Sequence, residues 1–195
     1  MLKKLYQNIL EACESKWAVY VLGILSFLES AIFIIPPEVM MLPMCYAKRK
    51  KAFYYAAITT VTSVLGACLG YYIGMNLWDE FSPLIFEYLP GFESSFDKVG
   101  QFYEENAVGS LLLAAVTPIP FKVFTIGAGV YHLKISLGLL VICSLIGRGF
   151  RYGVMAALVF FFGDKAQELI EKHLKLATLL IAIVGIIVLA IKFSH

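Results

Sequence analysis

The chain has 195 residues, of which 60% are hydrophobic and 15% charged, and it carries a formal net charge of +2. Its mean hydropathy of +0.80 and its apolar fraction exceed those of soluble domains, which are about 45–50% apolar, so a soluble globular protein is excluded. We therefore expect a single-domain, all-α integral membrane protein. The four cysteines lack the spacing of a metal site or redox pair, and we expect no metal, no cofactor and no nucleic-acid partner.

Residues 1–16 have apolar positions spaced as on one face of a helix, with Lys3 and Lys4 off that face. This pattern predicts an amphipathic helix on the membrane surface rather than a cleaved signal peptide. Trp17 and Tyr20, which follow, suit an anchor at the membrane interface.

A proline-broken segment follows, in which Glu29 and Glu38 are the only charges between residues 17 and 47. The pair Pro36-Pro37 must interrupt any helix, because proline lacks an N–H and clashes with the preceding turn. Residues 38–47 are too few to cross a bilayer, which takes about 20. We expect a re-entrant hairpin that leaves on the side it entered; one kinked spanning helix is the alternative.

The basic cluster 48–51 marks the cytoplasmic side, together with the N-terminus. Residues 52–78 carry no charge and predict a spanning helix with a glycine strip formed by Gly66, Gly70 and Gly74. Such a strip permits close helix packing. We favour a glycine strip that packs within the fold and leave its use in a homo-oligomer open. Thr59, Thr62 and Ser63 of the same helix are candidates for interhelical hydrogen bonds.

Residues 79–106 are acidic and indicate the outer side. Within this linker Phe92, Phe96, Val99 and Phe102 recur every three to four residues, which predicts an amphipathic helix lying flat on the outer leaflet.

A second broken segment, residues 107–131, contains Pro118 and Pro120 and then Lys122. We expect a second hairpin that enters from the outer side. Residues 135–163 predict a long helix with Arg148 and Arg151 inside it, and residues 174–193 predict a C-terminal transmembrane helix.

The two broken segments form an internal repeat, residues 17–78 and 107–163. When Pro37 is aligned with Pro120, four further matches follow in the same register: Lys51 with Lys134, Gly66 with Gly149, Gly70 with Gly153 and Gly74 with Ala157. An odd number of spans between the repeats inverts the second, so the fold class is an inverted repeat of two facing re-entrant hairpins, each followed by a transmembrane helix.

The five intramembrane charges are the candidate site: Glu29, Glu38, Lys122, Arg148 and Arg151. Charges at membrane depth are expected to pair across the repeat interface, and static salt bridges are one interpretation. The other is a phosphate site, because Arg and Lys bind phosphate while a buried carboxylate can carry a proton. The residues expected to shape the hairpins are Pro36, Pro37, Pro118, Pro120, Gly127 and Gly129.

These residues resemble the DedA family of the VTT (SNARE-associated Golgi protein) superfamily. The resemblance rests on Glu29 with Pro36-Pro37-Glu38, and on Pro118-x-Pro120 with Gly127-Ala128-Gly129 followed by Gly147-Arg148 and Arg151. The two proline segments are most similar to the YqaA-like branch. The resemblance implies facing re-entrant hairpins, a bacterial inner (plasma) membrane location and movement of lipids between leaflets. Many members carry an arginine near the second proline motif, where this chain has Lys122.

We therefore expect a transporter or scramblase for a lipid with an anionic phosphate headgroup, with proton coupling open. The resemblance implies that the partner lipid is a phospholipid or a polyprenyl phosphate. The alternatives are a membrane-organising protein without transport and a proton-coupled transporter of small solutes. We do not expect an enzyme, since the sequence lacks a GxSxG serine, an HExxH pair and an Asp-rich metal motif.

Overall fold

The computed structural model describes residues 15, 17–31, 36–78, 80, 82, 83, 92–117 and 119–163. Three expectations lie outside these residues: the interfacial helix 1–16 apart from Ser15, the C-terminal helix 174–193, and the role of Pro118. The described part of the chain is all-helical, as expected from the sequence. It contains six α-helices: α1 (Ala18–Ala31), α2 (Glu38–Ala47), α3 (Ala52–Asn76), α4 (Phe92–Val116), α5 (Phe121–Val130) and α6 (Leu137–Phe162).

The first pair of helices is short. Helix α1 has 14 residues and α2 has 10, which corresponds to about 21 Å and about 15 Å of helix axis. Helix α2 begins directly after Pro37, at a position where proline costs no intrahelical hydrogen bond. Pro43 lies inside α2 without ending it. A short 3₁₀ helix, Arg49–Lys51, then leads into α3.

Helix α3 is the centre of the bundle and packs against α1, α5 and α6. Its three glycines supply the close contacts. A Cβ at Gly66 would overlap the Phe27 carbonyl of α1, and one at Gly74 would overlap the Ile126 carbonyl of α5. The glycine strip therefore serves packing within the fold, because only the absence of a side chain allows these backbones to approach.

Helix α4 is broken at Asn106, where φ is −159° and ψ is 87°. The Asn106 side chain accepts a hydrogen bond at 2.8 Å from the backbone N–H of Gly109, which caps the second half of the helix. The break coincides with the boundary that the sequence predicts between the acidic linker, residues 79–106, and the second proline-broken segment, which begins at residue 107. Before the break the buried residues are Phe96, Val99 and Tyr103, whereas Phe102 is half exposed. The buried face of this part of α4 is therefore rotated from the expected position, with Tyr103 buried in place of Phe102.

Helices α2 and α5 correspond in the repeat register. The alignment that matches Pro37 with Pro120 also superimposes both ends of α2 on both ends of α5. The glycine strips differ between the repeats. A Cβ added at Gly153 in α6 would have nothing within 4 Å, whereas Gly147 packs closely on Ala115.

Two hydrophobic cores lie at opposite ends of the bundle. The first joins α1, α2 and the N-terminal part of α3 to the C-terminal part of α6, around Leu22, Met41 and Tyr152. The second joins α4, α5 and the C-terminal part of α3 to the N-terminal part of α6, around Leu111, Phe121 and Leu140. Between them runs a layer of buried polar side chains that includes Ser26, Ser30, Thr59, Ser63, Thr125, Ser144 and Arg148.

The outer faces of α3 and α6 are apolar. Two helical segments among the described residues, Arg49–Asn76 and Leu137–Phe162, are long and apolar enough to cross a membrane. Large apolar side chains such as Leu65, Ile142 and Phe150 point outward from them and are more than half exposed. Exposed apolar surface of this extent marks an interaction surface or a lipid-facing surface.

Helix α6 ends at Gly163, whose φ of 47° is in the left-handed region that favours glycine. A Cβ at Gly163 would overlap the Arg49 guanidinium, so the basic cluster lies against the C-terminus of α6. A cation there is favoured, because the last carbonyls of a helix carry partial negative charge.

Candidate functional site

Arg148 lies at the middle of α6 and is 2% exposed. Its guanidinium forms an ion pair with Glu29 of α1, with Nη1 3.2 Å from Oε2 and Nη2 3.4 Å from Oε1. The same group lies 4.3 Å from the ring centroid of Phe121, the first residue of α5. Arg148 Nη1 also donates a hydrogen bond to the Tyr152 hydroxyl at 2.8 Å. A planar guanidinium can satisfy a carboxylate edge and an aromatic face at once, which an ammonium cannot do equally well.

Arg151, one turn further along α6, pairs with the other carboxylate. Its Nε lies 2.8 Å and its Nη2 2.6 Å from Glu38 Oε1. Arg151 Nη1 also donates to the backbone carbonyl of Thr117. The two side chains of this pair are 14% and 10% exposed, so the pair is shielded from solvent.

Each arginine therefore contacts both proline-broken segments. Arg148 joins Glu29, before the first break, to Phe121, after the second. Arg151 joins Glu38, after the first break, to Thr117, before the second. Because residues three apart share a helix face, a single stretch of α6 holds both breaks together. Both glutamates of the first proline-broken segment are thus paired with arginines of α6.

Lys122 is half-buried at the start of α5 and interacts electrostatically with Glu29. We call Glu29, Glu38, Lys122, Arg148 and Arg151 the charge cluster. With three basic and two acidic groups, its formal charge is +1 when all five are ionised.

Hydroxyl groups connect the charge cluster to α3, and they also connect α1 to α5. Ser30 Oγ lies 2.6 Å from Ser63 Oγ of α3 and 3.2 Å from Glu29 Oε2. Thr125 Oγ1 of α5 donates to the Ser30 carbonyl at 3.0 Å. Ser63 thus makes an interhelical hydrogen bond as expected, whereas the Thr59 and Thr62 hydroxyls donate to carbonyls of their own helix.

Gly127 and Gly129 fit α5 into the bundle. A Cβ at Gly127 would lie 3.0 Å from a Val99 methyl group of α4, and one at Gly129 would overlap the Tyr71 carbonyl of α3. Pro36, Pro37 and Pro120 lie directly before the helices α2 and α5 whose starts they define.

Sequence reasoning missed Tyr152 and Phe121. Both are fully buried, and Tyr152 interacts electrostatically with Arg148, Arg151, Glu29 and Glu38. An aromatic residue in an apolar run carries no signal of such a role. Only the spacing of Tyr152, four residues after Arg148 on one helix face, could have indicated it.

Several polar atoms of the site have no hydrogen-bond partner among the described residues, although they are buried. They include Glu38 Oε2, Arg148 Nε and Ser144 Oγ. Buried polar atoms are normally satisfied, so each such atom calls for an explanation. A free acceptor on one ion pair and a free donor on the other give the cluster unused capacity to bind a polar ligand.

A groove lies beside the cluster, between α4 and α5, with a volume of about 430 Å³. We call it the lysine groove; its lining residues are Lys98, Val99, Phe102, Ile119, Pro120, Lys122, Val123 and Phe124. Two other cavities lie on the outside of the bundle and have uncharged linings: about 560 Å³ between α1 and α3, and about 340 Å³ between α3 and α6. In the described ranges no group of three or more His, Cys, Asp or Glu side chains could hold a metal ion.

Within the described residues, fold and site together define an all-helical protein with two helices apolar enough to cross a membrane. Two shielded Arg–Glu pairs join one of these helices, α6, to α1 and α2. An uncharacterized protein of Haemophilus influenzae is 30% identical over 183 residues, which cover 94% of this chain and 93% of that protein. An uncharacterized protein of Histophilus somni is 27% identical over 184 residues, covering 94% of each. The chain belongs to the same family as the Haemophilus influenzae protein. No family model matches the chain, and no solved structure matches it significantly.

Proposed function

We propose that the chain is an integral protein of the bacterial inner membrane, in which α3 and α6 span the bilayer and the two proline-broken segments are re-entrant. Helices α1 and α5 are apolar but shorter than a span. The contacts of Arg148 and Arg151 hold the two breaks together at mid-length of α6, which supports hairpins that face each other. The outward apolar side chains of α3 and α6 would face lipid. The exposed side chains of Trp17 and Tyr20 would lie at the membrane–water interface.

The corresponding bounds of α2 and α5 support an inverted repeat. Residues 48–51 would lie on the cytoplasmic side, together with the end of α6 that Arg49 contacts. Within this arrangement, membership of the DedA family in the VTT superfamily remains our proposal. It rests on the proline motifs, the two glutamates and the two arginines that resemble that family.

The function that the site supports best is movement of a lipid with an anionic phosphate headgroup between leaflets. One observation carries it: two Arg–Glu pairs are buried at mid-bundle with a third cation beside them and with unused donor and acceptor atoms. Charges at membrane depth are costly and mark substrate or proton pathways. A phosphate that displaced Glu29 from Arg148 would keep the guanidinium paired, and the released carboxylate could take up a proton.

A second function is favoured by a different observation. Both carboxylates already have an arginine partner, which suits a membrane-organising protein whose ion pairs lock the hairpins. In that case the ion pairs stay closed and no cargo crosses the membrane. A proton-coupled transporter of small solutes would use the same charges with a soluble cargo.

The experiment is leaflet exchange in reconstituted liposomes. The cargoes are fluorescent phospholipids and a short-chain polyprenyl phosphate, each measured with and without a pH gradient. Glu38→Gln, Lys122→Ala and Arg148→Ala are compared with the parent protein. Lys134→Ala is the matched control, because it removes an exposed lysine outside the cluster.

We expect exchange well above empty liposomes, lost in the three cluster variants and retained in Lys134→Ala. An effect of the pH gradient would indicate proton coupling. Exchange equal to that of empty liposomes for every cargo would contradict lipid transport, and it would favour the membrane-organising function or a soluble cargo.

A further inference from the structure

We propose that the lysine groove binds an anionic phospholipid, with the phosphate between Lys98 and Lys122 and an acyl chain along the apolar wall. This inference deepens the proposed function and rests on it, because it names the place where a headgroup is held before it reaches the charge cluster.

The charges of the groove are complementary to a phosphate. Lys98 comes from α4 and Lys122 from α5, so the two ammonium groups belong to opposite walls. The lining contains no carboxylate. Two cations in a lining that contains no carboxylate attract a phosphate, and ammonium groups bind it as point charges.

The walls of the groove indicate a lipid rather than a soluble anion. Phe102 is 50% exposed and Ile119 42% exposed, and both line the groove together with Val123. A free phosphate gains no binding energy from contact with this apolar surface. An acyl chain does, because burying each CH₂ group stabilises its binding.

Lys122 connects the groove to the charge cluster. Its side chain lines the groove and also interacts electrostatically with Glu29, the partner of Arg148. A phosphate bound by Lys122 would therefore compete with the Glu29 carboxylate for the Lys122 ammonium group. The two uncharged cavities of the bundle offer no such connection, since nothing in their linings selects a headgroup.

The test is quenching of a single tryptophan by brominated lipids in vesicles. Trp17→Phe and Trp78→Phe remove both native tryptophans, and Phe102→Trp places the reporter in the groove. Vesicles contain either brominated phosphatidylglycerol or brominated phosphatidylcholine, and the quenching ratio gives the preference for the anionic lipid. Ile142→Trp, on the outward face of α6, is the matched reporter, and Ile119→Trp is the second groove reporter if Phe102→Trp does not fold.

We expect the groove reporter to prefer the anionic lipid about 25-fold, because each of the two lysines near an anionic headgroup strengthens binding about fivefold. Lys98→Gln and Lys122→Gln should each reduce the preference about fivefold, while Lys98→Arg and Lys134→Gln retain it. The Ile142→Trp reporter should show no preference. A groove reporter without preference, or one unaffected by both Gln variants, would overturn the proposal, as would release of the lipid by inorganic phosphate.

The quenching test of binding and the leaflet-exchange test of transport have distinguishable outcomes. A groove preference without leaflet exchange would keep the binding site and contradict the transport function. Leaflet exchange without a groove preference would keep the transport function and contradict this site.

Discussion

At the scale of single residues, the Glu29–Arg148 pair joins a glutamate that is 15% exposed to an arginine that is 2% exposed. Removing one member of a buried pair leaves an uncompensated charge, which costs about 3–5 kcal/mol. Glu29→Gln should destabilise the protein more than Arg148→Gln, because Arg148 is 2% exposed while Glu29 keeps Lys122 nearby. The double variant Glu29→Gln/Arg148→Gln should regain most of the loss.

The measurement is reversible unfolding in mixed micelles for all four proteins of this double-mutant cycle. The same cycle at the exposed Glu104–Lys134 pair is the control and should show a much weaker coupling. Additive losses at Glu29 and Arg148 would show that the two side chains do not interact.

The Glu104–Lys134 pair allows a test of pH dependence outside the spanning segments. Lys134 Nζ lies 2.7 Å from Glu104 Oε1, and this hydrogen bond and charge lower the pKa of Glu104 below its usual range. A lowered pKa in the folded state means that the pair contributes stability above the unfolded-state pKa, and the contribution is lost as the pH falls through the folded-state value. We expect carboxyl NMR to give a lower midpoint for Glu104 in the parent than in Lys134→Gln. Equal midpoints would contradict the pairing of α4 with the turn before α6.

At the scale of helices, the crossing of α3 and α5 depends on glycine. Gly129→Ala places a methyl group on the Tyr71 carbonyl and should destabilise the protein by about 1–3 kcal/mol. Gly153→Ala is the matched control, since nothing lies within 4 Å of its Cβ position, and it should stabilise α6 by about 0.5–1 kcal/mol. Unfolding in mixed micelles measures both. A Gly129→Ala variant as stable as the parent would show that α3 and α5 are not in backbone contact.

The helices were largely predictable because their limits are set by local chemistry. Pro37 and Pro120 set the starts of α2 and α5. The uncharged run 52–78 and the apolar run 135–163 predicted α3 and α6 to within about two residues. The rotation of the buried face of α4 was not predictable. Phe102 and Tyr103 are adjacent and both aromatic, so only the packing of Tyr103 against Phe124 and Tyr131 decides which of them is buried.

At the scale of the whole molecule, the sequence identified the charged residues of the site but not their pairing. Either glutamate could have paired with either arginine, because the choice depends on how α1 and α2 dock against α6. The tertiary contact of Arg148 with Phe121 was likewise not predictable, since aromatic residues are common in apolar helices. The layer of polar groups between two hydrophobic cores is a property of the assembled bundle rather than of any one segment.

The central proposal is that the buried ion pairs open to pass a headgroup rather than only hold the two proline-broken segments together. The measurement that tests it most directly is leaflet exchange by the Glu29→Gln/Arg148→Gln double variant in liposomes, with its stability measured alongside. We predict a protein of near-parental stability whose exchange of anionic lipid falls to that of empty liposomes. Exchange at the parental rate in this variant would contradict the proposal and leave the pair with a structural role.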